Sequence, residues 1–368
     1  MGSRWRLTEV RARAMGMAWS QAVPWAALRY AVGAGAVLAA ATALWGPQPG
    51  MIVAAGAVNA GAVGTTPGLS RPRAAMCVSL AALAAAAFLG LVTARTPVVS
   101  IAVLAHLGMV CGLLARTGQA ASTMGVQAMV GFVTLGRSPQ PVGTAVLLGA
   151  GIVVGGLVQI VLGTVLSADA FRTAVRMVSP AARRQTASMP SVGGPSVRAV
   201  LRSTGRALAH PDPLTRWHAL RLALGLALAQ SVAVWLLPGQ RGYWISLTLL
   251  NVLKPGWVST ASRGIDRWIG TLVGVLVVGA LADAVPLRGV ALVVAVTVLL
   301  WGAFTVQPVN YGLYCMCIAG YVLLFLQVVA APPGDSALYR AIDTTLGGLL
   351  ALALHARIRR PGSQPSRD

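Results

Sequence analysis

The sequence is short of charge, and what charge it carries is lopsided: 8 Asp plus Glu stand against 29 Lys plus Arg in 368 residues, and only 10% of the chain is charged. Soluble domains carry about a quarter of their residues as charges. So little polar material cannot clothe a water-facing surface. Lysine is almost missing, Lys254 being the single copy, and near-exclusive use of Arg with abundant Ala and Gly points to a GC-rich bacterial genome. The four cysteines, Cys77, Cys111, Cys315 and Cys317, sit in apolar runs without zinc-ligand spacing, which argues for packing residues and against a metal site. No Gly-rich loop leads into a Lys-Ser/Thr pair, so a phosphate cradle and an ATP motor are not expected. Nucleophile-elbow and His-Glu-x-x-His patterns are missing too, which argues against an enzyme, and no cofactor is expected. The opening Met1-Gly2-Ser3-Arg4-Trp5-Arg6 lacks the apolar core and small-residue cleavage site of a signal peptide.

What the chain does have is apolar length. Hydrophobic residues make up 56%, with a mean hydropathy of +0.74, and runs near the roughly 20 residues that cross a bilayer recur throughout. Expected spans lie near Trp25–Trp45, Met51–Thr66, Ala74–Thr93, Val98–Ala115, Ala121–Gly136 and Val142–Leu166, then near Trp217–Leu237, Tyr243–Leu253, Ile265–Leu281, Gly289–Val306, Tyr311–Val329 and Leu338–Ala356. The runs beginning at Met51 and Tyr243 are short for a full crossing and read as broken or partly inserted helices. The division is a basic segment over 1–24, a first set of spans over 25–166, an Arg-rich linker over 167–216, a second set over 217–356 and a tail over 357–368.

The net charge of +21 and a pI near 11.7 would suggest nucleic acid in a soluble protein. Here topology accounts for it. With the N-terminus inside, 22 of the 29 cationic residues fall in cytoplasmic segments, among them Arg4, Arg6, Arg11 and Arg13, the eight linker arginines, Lys254, Arg263 and Arg267. Only Arg95, Arg137, Arg241, Arg288 and Arg340 fall outside. That bias is the positive-inside pattern of twelve spans with both ends cytoplasmic, and nucleic acid is not expected as a partner.

An internal repeat divides the spans equally. Ala27-Leu28-Arg29-Tyr30-Ala31-Val32-Gly33 aligns with Ala219-Leu220-Arg221-Leu222-Ala223-Leu224-Gly225, 192 positions later, and at the same offset Gly50 meets Gly242, Asn59 meets Asn251 and Arg71 meets Arg263. Six spans per copy is an even number, so both copies enter from the cytoplasm. The expected fold is all-α and integral to the membrane, with two parallel repeats of about six transmembrane helices each.

Motifs of the second copy carry a resemblance. Leu220-Arg221 opens a helix, Tyr243-Trp244-Ile245-Ser246-Leu247-Thr248 runs on to Lys254-Pro255, Arg267 precedes Gly270-Thr271-Leu272-Val273-Gly274, and Asp343-Thr344-Thr345-Leu346-Gly347 opens the last span. In that order and spacing they resemble the fusaric acid resistance-like inner-membrane family, over about Arg216 to His355. The first copy shares it mainly through the repeat. The resemblance implies an exporter of aromatic carboxylic acids and related toxic compounds, with plant malate channels as distant relatives. Longer relatives place a cytoplasmic domain between the halves, where this chain has only the linker.

Polar residues within apolar spans are the candidates for function. Arg29 and Arg221, at matching places in their copies, either line a path for an anion or snorkel to the headgroups. Tyr243 and Trp244 are interface-belt aromatics or stacking partners for substrate. Thr248, Asn251 and its repeat mate Asn59 are hydrogen-bonding candidates for the pathway. Lys254, Arg263 and Arg267 form a basic rim, with Asp266 among them, that concentrates organic anions or simply marks topology. Asp343 inside the last span is a proton-coupling candidate or a charge complementing the helix dipole, and His106 is its alternative. Gly151-x-x-x-Gly155 and Gly270-x-x-x-Gly274 put small residues on one helix face for close packing. The expected function is secondary efflux of amphipathic organic anions, aromatic carboxylic acids included. A channel of the same fold and a non-transporting scaffold that docks a partner or anionic lipid through the linker are the alternatives. Membrane lipids and a small organic anion are the expected partners. A homo-oligomer is left open, since the joined copies already supply a pseudo-dimer.

Overall fold

Proline begins many of the helices. Pro24, Pro47, Pro72, Pro97 and Pro213 stand in the first turn of theirs, where the missing N–H is no loss and the fixed φ favours the helix. The computed structural model describes residues 2–66, 69, 71–115, 119–135, 139–166, 205, 208–237, 242–285, 287–329 and 333–357. Among these the helices are α1 Gly2–Met15, α2 Pro24–Trp45, α3 Pro47–Gly64, α4 Pro72–Thr93, α5 Pro97–Leu114, α6 Gln119–Leu135 and α7 Val142–Val165. They continue with α8 Pro213–Ser231, α9 Tyr243–Val252, α10 Trp257–Ala284, α11 Gly289–Val306, α12 Tyr311–Gln327 and α13 Pro333–Arg357. A π-helical turn, Val232–Leu236, extends α8, and the described residues contain no strand.

Helices α2 to α13 fall on the twelve expected spans, and seven of them are long and apolar enough to cross a membrane: α2, α4, α5, α7, α8 with its π-turn, α10 and α11. Their outward faces carry exposed side chains such as Leu147, Leu276 and Val290, which water would penalise and lipid accepts. Several helices start earlier than apolarity alone suggests. Helix α10 begins at Trp257 rather than near Ile265, α13 at Pro333 rather than Leu338, and α8 at Pro213 inside the expected linker. Asp212 caps α8, its carboxylate accepting from the Thr215 backbone N–H at 2.7 Å. Apart from residues 205 and 208–216, the 167–216 linker lies outside the described residues. So do Arg116, Arg137, Arg241 and the tail from 358.

The 1–24 segment is more than a charged tail. Helix α1 packs against α10 with Val10 buried, and the Asn310 side chain donates to the Ala14 and Gly16 carbonyls at 3.0 and 2.9 Å. The same Asn310 caps α12 by accepting from the Gly312 and Leu313 N–H groups. One amide therefore ties the N-terminus to the start of α12.

Two large apolar clusters, with a smaller third of Leu80, Leu83, Ala87 and Ile152, hold the described helices together. Tyr30, Leu38, Val296, Leu300 and Phe304 belong to one, where α2 packs on α11. Leu104, Met129, Phe132, Leu222, Leu226 and Leu249 belong to the other, where α5 packs on α8 and α6 on α9. In lipid such contacts depend on close backbone approach rather than on expulsion of water. A Cβ on Gly270 or Gly274 of α10 would collide with the Gly312 or Met316 carbonyl of α12, and one on Gly155 of α7 with the Val53 carbonyl of α3.

Helix α9 is the exception in length, with 10 residues. It stops because Pro255 follows closely, and a proline forces the residue before it out of the helical region. Thr260 closes the turn that follows, accepting from the Lys254 N–H at 3.0 Å and donating to carbonyls of Lys254 and Gly256.

Candidate functional site

Helix α9 presents one polar face. Tyr243 and Trp244 stand at its start with ring centroids 4.6 Å apart, Thr248 follows one turn on and Asn251 near its end. Arg340 of α13 is 5% exposed and lays its guanidinium over the Trp244 ring, 4.1 Å from the centroid. Its Nε has no hydrogen-bond partner. Arg267 of α10, 8% exposed, donates from Nε to the Thr248 hydroxyl at 3.4 Å and from Nη1 to the Tyr311 hydroxyl at 3.4 Å. Arg263 lies over the Tyr311 ring at 4.5 Å.

These residues continue into a cavity of about 370 Å³ lined by Arg13, Ser262, Arg263, Asp266, Asn310 and Tyr311 among others. Three guanidinium groups thus follow one another from the cavity along α9: Arg263, Arg267, Arg340. None of the three makes an ion pair with a carboxylate among the described residues. A buried guanidinium held only by hydroxyls and rings keeps charge in reserve, since aromatic contact is worth about 2 kcal/mol when desolvated and leaves most of the desolvation cost unmet. An arriving carboxylate would meet that need.

Asp343 is 2% exposed, the one acid among the buried described residues, and its Oδ2 has no partner. It lies one helical turn beyond Arg340 and one before Gly347, whose α-carbon packs on the Ile245 carbonyl and the Thr248 side chain.

The other sequence candidates fall elsewhere. Arg221 is buried and donates to the Trp217 carbonyl at 3.2 Å and to His355 Nδ1 at 2.9 Å. Because a guanidinium only donates, Nδ1 of His355 is the acceptor. The His355 ring also lies 5.6 Å from that of Trp257. Its repeat mate Arg29 lies over Tyr30 at 4.7 Å, with its Nε unpartnered. Asn59 accepts from Ser79 at 3.4 Å, Asn251 donates to its own helix at Leu247, and His106 is exposed on α5 with its ring on the Ala102 carbonyl. Lys254 lines a different, smaller cavity from Arg263. In the turn between α9 and α10, burial first and the Arg263 guanidinium next push its ammonium from the ordinary lysine range down to about 7.

Sequence reasoning missed Arg340, Tyr311, His218 and His355 as site residues. Arg340 looked external because its span seemed to start at Leu338, whereas α13 begins at Pro333 and carries it about two turns inward. Tyr311 carries no signal apart from being the first residue of its helix.

A helical set with this many apolar crossings and a buried cationic file defines a polytopic α-helical membrane protein. Residues 226–354 match the family described as fusaric acid resistance protein-like. The inner membrane protein YccS of Escherichia coli (strain K12) is 34% identical over 144 residues, 39% of this chain and 20% of that protein. Uncharacterized protein ORF2 of Neisseria gonorrhoeae is 34% identical over 140 residues, 37% of this chain and 32% of its own length. Uncharacterized protein slr1298 of Synechocystis is 29% identical over 144 residues, 39% of this chain and 19% of that protein. The chain thus spans a fifth to a third of the length of these relatives. No solved structure matches it.

Proposed function

We propose that this protein is a secondary transporter of a bacterial cytoplasmic membrane that exports amphipathic organic anions, aromatic carboxylates among them. The observation that carries the reading is the file of Arg263, Arg267 and Arg340 along α9, two of them buried and none ion-paired among the described residues. Arg263 and the cavity of about 370 Å³ receive the anion from the cytoplasm, Arg267 and Thr248 take its carboxylate, and Trp244 with Tyr243 offers ring faces to its aromatic part. Asp343 is the group that couples a proton to the step. The match to a fusaric acid resistance protein-like family and the likeness to an inner membrane protein support this reading.

Two parallel repeats, with both termini cytoplasmic, form part of the proposal. Helices α5 and α11, α6 and α12 begin and end 192 positions apart, as Pro97–Leu114 with Gly289–Val306 and Gln119–Leu135 with Tyr311–Gln327. Gly155 against the Val53 carbonyl has a counterpart at the same offset in Gly347 against the Ile245 carbonyl. Helix α2 packs on α11 as α8 packs on α5, the exchange expected of a twofold axis along the membrane normal.

A channel is the second reading, favoured by Asp343 being the one buried acid among the described residues. Proteoliposomes loaded with a panel of substituted benzoates separate the two. Export driven by an imposed proton gradient and abolished by an uncoupler is expected. Equal flux with and without the gradient makes it a channel, and no flux of any benzoate overturns both.

A further inference from the structure

Beside the arginine file but separate from its cavity, a cavity of about 60 Å³ lies where α5, α6 and α8 meet the turn after α9, lined by Cys111, Ser122, His218, Leu222 and Lys254 among others. Its polar members are unusual company. His218 is 2% exposed and its Nδ1 has no hydrogen-bond partner, the ammonium of Lys254 makes no ion pair among the described residues, and no carboxylate lines the space. Arg221 on α8, whose guanidinium donates to His355 of α13, adds cationic character nearby. Positions 192 residues earlier or later, where the opposite seam has its counterparts, are Ala26 for His218, Ala62 for Lys254 and Ala303 for Cys111. That seam is filled by Tyr30, Leu300 and Phe304 instead.

A buried ring nitrogen without a partner costs about 1–3 kcal/mol, and a half-buried ammonium without a counter-ion leaves part of its desolvation cost unmet. Both deficits are removed by one negatively charged acceptor between them. At roughly 30 Å³ for a water-sized group, the cavity holds two or so, which suits a halide or a small planar oxyanion and shuts out an aromatic acid.

We infer that Lys254 and His218 hold a small inorganic monoanion in this cavity, at the junction of α5, α6 and α8. The Lys254 ammonium supplies the charge, His218 Nδ1–H and the Ser122 hydroxyl supply donors, and Leu222 walls off the membrane interior. The site stands independently of the transport reading, because it needs only the cavity and its unpartnered groups. It also assigns Lys254 to an anion that stays, rather than to the file along which a solute moves.

The test uses the full chain purified in detergent at constant ionic strength, with sodium nitrate replacing sodium gluconate, an anion too large for the cavity. Nitrate is expected to raise Tm with saturation. It should also slow the labelling of Cys111 by methyl methanethiosulfonate, scored by mass spectrometry against exposed Cys77, several-fold. Lys254→Gln should abolish both effects and His218→Asn weaken them, while Arg13→Gln, in the larger cavity, leaves them intact. A Tm rise without saturation, Cys111 labelling equal in nitrate and gluconate, or an undiminished effect in Lys254→Gln overturns the proposal. The labelling comparison in the unaltered protein decides the matter even where a variant does not fold. Benzoate export is read separately, so its failure leaves this result standing.

Discussion

Arg340 and Trp244 are joined face to face inside the helix assembly, the guanidinium of α13 over the indole of α9 at 4.1 Å. The pair fastens the short helix to the last one, and it places a full positive charge where few groups are present to offset it.

Replacing Trp244 is therefore expected to damage stability as well as transport. Trp244→Ala removes the ring and leaves Arg340 buried without its partner, a loss of about 3 kcal/mol or more. Trp244→Phe keeps a ring face and should cost much less. Unfolding of the detergent-solubilised variants by heat or denaturant measures both.

Arg267 should matter to flux far more than Arg29. Arg267→Gln removes the charge from the Thr248 and Tyr311 contacts, and a charge-assisted hydrogen bond worth about 1.5–3 kcal/mol corresponds to roughly ten- to a hundredfold in rate or affinity. Arg29→Gln, over Tyr30 on α2, should leave benzoate export near normal. Initial rates in proteoliposomes that reverse this order count against the α9 path.

Asp343→Asn is expected to uncouple export from the proton gradient. The amide keeps size and polarity but cannot carry a proton, so residual benzoate flux should no longer respond to an uncoupler. Retained uncoupler sensitivity in Asp343→Asn removes the carboxylate from the coupling role.

Nitrate binding should weaken as pH rises. Lys254 titrates near 7, and only its ammonium form attracts the anion, so between pH 6 and pH 8.5 the loss approaches roughly thirtyfold for a single group of this pKa. The charged and titratable neighbours are Cys111 on α5, His218 and Arg221 on α8, Arg263 and Arg267 on α10 and His355 on α13. Titration calorimetry across that range checks the sign.

Glycine replacements discriminate a tight helix contact from a loose one. Gly274→Ala drives a methyl into the Met316 carbonyl, which a backbone cannot avoid without moving α10 off α12; a loss of about 1–3 kcal/mol is expected. Gly279→Ala, whose nearest neighbour is the flexible end of Leu323 at 3.8 Å, should be neutral or slightly stabilising. Thermal unfolding of the two variants side by side is the check.

Apolar periodicity located the helices well because lipid imposes one rule on every crossing. The Gly289–Val306 expectation coincides with α11, and the small-residue pair Gly270 and Gly274 does face α12. Boundaries drift where a helix runs on through polar residues, as α10 does from Trp257 past Arg263 and Asp266. The site was legible in its α9 members, whose aromatic, hydroxyl and amide residues interrupt an otherwise apolar run, and in Arg263, Arg267 and Asp343, but not in Arg340 or Tyr311. Partners such as His355 for Arg221, 134 positions away, leave no local trace. Neither does the docking of α1, which rests on buried Val10 facing α10 and on the backbone at Ala14 and Gly16 held by one amide on a distant turn.

Ten residues of α9 rise about 15 Å, half of the roughly 30 Å hydrocarbon layer. Were the proposed path to follow this helix with water reaching both of its ends, the membrane voltage would fall across the shorter distance and the local electric field would be about twice that of a full-thickness barrier. Each step past Arg267 would then be unusually sensitive to the resting potential of the cell, which pushes negative charge outward.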